Sequence, residues 1–163
     1  MVLKIDDWEF EVDFETTENH SRQELEEHCT CGYCRNYYAA IDGKYTNLRP
    51  FLKQFGVEIE APDALFPYEP TLYEAEYVVA GSIIRQGKRP VSIDGLTVSV
   101  EVESNIHHPI PGPVFYISIG VVELPWVLDE PMEEVASPAN VPSFLRKMWN
   151  RLLGKANNSQ FTS

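Results

Sequence analysis

The 55 residues from 72 to 126 pass through alternating and β-branched stretches without a single helical period, and this limits the fold more than any other feature. Along Leu72–Arg85, Tyr73, Ala75, Tyr77 and Val79 fall at alternate positions, and Gly81 marks a bend. Residues 96–103 set Leu and Val against Thr, Ser and Glu, while 114–124 is apolar on both faces and is the expected central strand. Both connections, 86–90 and 105–113, are rich in turn formers. Strands joined by turns rather than by crossover helices pair antiparallel. The fold class is therefore α+β: a mainly antiparallel sheet, flat or curled toward a sandwich, with helices at its ends.

Ahead of this block, residues 8–15 read as a strand with Trp8, Phe10, Val12 and Phe14 on one face and four acids on the other. Ser21 and Glu24 have capping-box spacing. Leu25 is the only apolar residue between them and His28, so a short, poorly anchored helix is expected there. From Thr30 as N-cap, Cys34, Tyr37, Tyr38 and Ile41 fall at helical spacing, and Asp42-Gly43 ends the run. A second short helix follows Asn47, with Leu48, Phe51, Leu52 and Phe55 on one face and Gly56 as its left-handed stop. Pro62, Pro67 and Pro70 predict a loop.

A length of 163 residues suits one domain, placed at 1–128. Residues 129–143 read as a proline- and acid-rich linker, 144–155 as a basic amphipathic helix, and 156–163 as a disordered tail. Net charge is −12, unevenly spread: ten acids face two bases in the first 28 residues, whereas four cations and no acid follow Val141. An acidic body repels phosphate, which argues against nucleic acid and favours a basic protein as partner. The basic helix is read as covering the open sheet face, with peripheral contact to an anionic membrane as the alternative. No apolar leader or spanning stretch is present, so a cytoplasmic setting with reduced or metal-bound thiols is expected.

All three cysteines fall within six residues, as Cys29, Cys31 and Cys34, directly after His28. Zinc takes four thiolate or imidazole ligands in a tetrahedron, and a C-x-x-C turn presents two sulfurs to one ion. Cys29 supplies a third. The fourth ligand is expected from His28, His20, His107 or His108; the last two precede Pro-Ile-Pro-Gly-Pro and read more readily as exposed turn residues. A rival reading takes Cys31 and Cys34 as a redox pair at a helix N-terminus, although the acids upstream oppose thiolate formation. In the plainest reading the cysteines are packing residues. No phosphate loop, nucleophile elbow or zinc-protease motif occurs, so no reaction is nominated.

Cys31-Gly32-Tyr33-Cys34-Arg35-Asn36-Tyr37, Phe55-Gly56-Val57, the strand at 73–81 and Pro125-Trp126-Val127-Leu128 occur in that order. Together they resemble a family of small bacterial proteins marked by a C-x-C-x-x-C-x-N segment and a later P-W-V-L strand end. The resemblance spans residues 8–131 and brings no activity with it. It implies a bacterial cytosolic protein of shared fold, in which Asn36 supports the cysteines rather than ligating the metal. The expected function is that of a binding or adaptor protein with a structural zinc. An acidic inhibitor or immunity-type protein and a thiol-dependent enzyme are the alternatives.

Overall fold

The computed structural model describes residues 1–69 and 71–132. The linker from residue 133 onward, the helix at 144–155 and the tail at 156–163 lie outside the described residues.

Seven strands and three helices follow in the order β1 (Val2–Ile5), β2 (Trp8–Val12), α1 (Phe14–Glu27), α2 (Gly32–Lys44), α3 (Leu48–Lys53), β3 (Ala64–Glu69), β4 (Leu72–Arg85), β5 (Val91–Ile93), β6 (Leu96–Glu101) and β7 (Val114–Glu123). They build one α+β unit around a single sheet of strand order β1-β2-β4-β7-β6-β5, with β3 added to β4. Every pairing is antiparallel. The apolar stretch at 114–124 becomes β7, flanked by the long β4 and by β6, as its two buried faces require.

Strand β4 serves two neighbours in succession, pairing with β3 over Leu72–Glu76 and with β2 from Gly81 onward. Gly81 makes the change possible. Its φ is +139°, and a Cβ there would lie 2.0 Å from the Glu11 carbonyl oxygen, so only glycine lets the two backbones approach this closely.

The strand read at 8–15 stops at Val12. Asp13 accepts the Thr16 backbone N–H at 3.1 Å and the Thr16 hydroxyl at 2.8 Å, which starts α1 at Phe14. Phe14 consequently leaves the sheet face predicted for it. Helix α1 is also longer and better held than its apolar content suggested. Thr17 Oγ1 accepts the Ala80 N–H of β4 at 3.0 Å, and Ser21 Oγ accepts the Glu58 N–H at 2.8 Å.

Cys31 rather than Thr30 caps α2. The helix continues through Asp42-Gly43 because Ile41 and Tyr45, buried on either side, hold its last turn in the core. Helix α3 ends as predicted: Val57 N–H reaches Leu52 O and Gly56 N–H reaches Lys53 O, with Gly56 at φ +85°. The loop expected around Pro67 is strand β3. A proline is tolerated there because β3 pairs on one side only.

One face of the sheet and helices α2 and α3 enclose the main core, where Phe10 stacks on Phe115 and Phe55 meets both edge-on, with ring centroids 5.3–6.1 Å apart. Burial of each such ring contributes about 1.5–3 kcal/mol. Polar atoms inside this core are paired. The Tyr37 and Tyr77 hydroxyls lie 2.9 Å apart, and Tyr77 donates onward to Ile59 O at 2.8 Å, joining α2 to β4. On the opposite face of β4, Val78 and Ala80 pack with Tyr116 and with Ile110 from the 105–113 connection.

Candidate metal centre

The cysteines sit where an extended segment turns into α2. Cys31 is the N-cap, with extended backbone at φ −65° and ψ 162°, and Cys34 lies in the first helical turn. An N-cap side chain and one three residues later face each other across that turn, which is the physical content of the C-x-x-C spacing. Cys29 folds back from the extended side. The three sulfurs lie within 4.8 Å of one another, with Cys29 and Cys31 exposed and Cys34 buried.

Their protonation is uneven. The Cys31 backbone N–H, followed by the Cys31 and Cys34 thiols, holds the Cys29 pKa below that of an ordinary thiol. Burial pushes the Cys34 pKa far up, with hydrogen bonds to Cys31 and Cys29 adding to the effect. Three thiols this close cannot all ionise beside one another without a cation. With a divalent ion between them they can, because a metal replaces their protons. The three thiols can therefore hold a metal ion.

Aromatic and polar groups wall the cluster. Tyr38, one turn beyond Cys34, hydrogen-bonds its thiol, and its own pKa is raised by burial first and then by Cys34. The His28 ring packs against Tyr38 with centroids 4.6 Å apart. His28 Nδ1 is buried and has no hydrogen-bond partner. Tyr33 meets Trp126 edge-on at 6.0 Å. Arg35 donates to Thr30 O at 2.9 Å and pairs with Glu130.

Asn36 explains why the cysteine segment and the late Pro-Trp-Val-Leu segment belong together. Fully buried, it donates from Nδ2 to Pro125 O at 3.1 Å and to the Tyr73 hydroxyl at 3.2 Å, and its Oδ1 accepts the Val127 N–H at 2.8 Å. It is a clamp between α2 and the chain leaving β7, and its amide is used up in that role.

No histidine nitrogen joins the three thiols within the same 4.8 Å. His20 lies with Asp63 and Glu24, its Nε2 2.5 Å from Asp63 Oδ1. His107 is exposed in the 105–113 connection, and His108 packs against Tyr116 at 6.1 Å. Sequence reasoning missed Glu24 and Asp63 as neighbours of His20. The i, i+4 spacing of His20 and Glu24 is the signal the sequence offers, and it has meaning only on a helix, which so few apolar residues do not announce.

Among the described residues no helix is long and apolar enough to cross a membrane. No family model matches the chain, and no curated protein or solved structure is significantly similar to it.

Proposed function

We propose that this chain is a binding or adaptor protein whose Cys29, Cys31 and Cys34 hold a structural zinc that fixes the entry to α2. The convergence of three sulfurs within 4.8 Å at a helix N-terminus carries this reading. Thiolates are the ligands that most favour zinc over harder ions. His28 completes the tetrahedron. Its ring already lies against Tyr38, which touches Cys34, and its Nδ1 is a buried lone pair or N–H with nothing to bond.

The surface offered to a partner is acidic. Glu15, Glu26 and Glu27 are exposed on α1, and Glu11 is exposed at the end of β2. A basic protein is the partner this surface suits, with binding that weakens as salt rises.

The thiol-enzyme reading draws support from the exposure of Cys29 and Cys31 beside the buried Cys34. Metal analysis with thiol titration separates the two. One zinc per chain with thiols shielded until a chelator is added supports the structural site. Freely reactive thiols and no metal in the native protein support the enzyme.

A further inference from the structure

A second group of donors lies on α1. His20 and Glu24, one turn apart, share a helix face, and Asp63 reaches them from the segment preceding β3. One donor atom from each lies within 4.8 Å of the others. The His20 and Asp63 side chains are only 5% and 6% exposed. Asp63 is held in place by the Val78 N–H, which donates to its Oδ2 at 2.7 Å, leaving Oδ1 toward His20.

Two observations set this group apart from an ordinary buried histidine–aspartate pair. Nε2 to Asp63 is the single hydrogen bond of the buried His20 ring, Nδ1 having no partner, so no second contact opposes a small adjustment of the ring toward a ligand held between Nε2 and the carboxylates. The acids, moreover, have no fixed cation beside them: among the described residues no Lys or Arg pairs with Glu24 or Asp63, and His20, paired with Asp63, is their one basic neighbour.

We propose that His20, Glu24 and Asp63 form a second cation site, which takes one divalent first-row ion such as Mn²⁺ through an imidazole and two carboxylates. The two carboxylate charges balance the ion. This nitrogen-and-oxygen donor set selects harder ions than the thiol cluster does. Metal bonds of about 2.0–2.2 Å place neighbouring donors about 3 Å apart, so Nε2 and Oδ1 open modestly from 2.5 Å as the ion displaces the hydrogen they share. The site uses no residue of the thiol cluster.

Mn²⁺ titration of the full-length protein, followed by loss of the free-ion electron paramagnetic resonance signal, tests the proposal. Mn²⁺ is the weakest competitor in the divalent series and leaves thiolate-bound zinc in place. The expected result is one Mn²⁺ per chain, bound at least about ten-fold more weakly by Glu24→Gln and unchanged by Cys29→Ser. Glu24 is only half-buried, so its substitution leaves the fold intact even if Asp63→Asn does not. Absence of saturable Mn²⁺ binding, equal binding by Glu24→Gln, or loss of binding in Cys29→Ser would each overturn the second site. None of these outcomes bears on zinc at the thiols, which is counted separately.

Discussion

Helices α1 and α2 are of nearly equal length but are held to the protein by different forces. Helix α2 buries Tyr33, Cys34, Tyr37, Ala40 and Ile41, and α1 buries Thr17, His20 and Ser21. The first is attached by apolar area, with Asn36 and Tyr37 supplying directed bonds inside it. The second is attached almost wholly by directed bonds: Thr17 to Ala80, Ser21 to Glu58 and His20 to Asp63. Burial of area tolerates small shifts and scales with volume. A directed bond fails outright when one partner is removed, and it leaves the other unsatisfied.

The contrast is sharpened by substitutions whose costs should fall in a fixed order. Tyr37→Ala opens a cavity in the core and breaks the link to Tyr77, and should destabilise by about 3–5 kcal/mol in denaturant unfolding. Asn36→Ala strands the Val127 N–H and the Pro125 carbonyl and should cost about 3 kcal/mol. Thr17→Val keeps volume but leaves the Ala80 N–H without its acceptor, for about 1–2 kcal/mol. Leu25→Ala, at the one apolar position of that helix beyond its first residue Phe14, should cost less than Thr17→Val. If Leu25→Ala proves the more damaging of the two, apolar area holds α1 after all and the comparison breaks.

The smallest expected effect is a pH dependence on the sheet. Glu74 is buried with its Oε2 accepting from the Tyr68 hydroxyl at 2.5 Å, and burial outweighs that bond to raise its pKa above the ordinary glutamate value. The neighbouring Glu101 charge pushes the same way. A raised folded-state pKa means that the fold favours protonated Glu74. This contribution is fully present below the unfolded value and is lost as pH rises through the folded one. Glu74→Gln has no such proton to lose, so its melting temperature should gain on the wild type as pH rises from about 4 to about 7. Parallel melting curves across that range would mean the carboxylate is adequately solvated.

The strands of the sheet were legible because alternation in 72–126 reports directly on which face is buried, and β4 matches its predicted bounds at both ends. Strands β1 and β5 carry four and three residues, too few to display a period. Pro67 masked β3, since proline argues against a strand unless the edge position is known. Helix α1 was illegible for the reason that sets it apart from α2: threonine, serine and histidine at its buried positions leave no hydrophobic stripe. At the thiol cluster the spacing revealed which sulfurs could meet, because one helical turn joins Cys31 and Cys34. It could not reveal that Asn36 would be spent on Pro125 and Val127, a contact set by tertiary pairing across about ninety residues.

Zinc at the three thiols is the central claim, and metal content measured by mass spectrometry on natively purified protein, with thiol counts and melting temperature before and after chelation, tests it most directly. The expected result is one thiol-bound zinc per chain, three thiols that become reactive only once the chelator is present, and a clear fall in melting temperature on chelation. Three thiols reactive from the start, no bound zinc and a melting temperature indifferent to chelator would contradict the structural metal site.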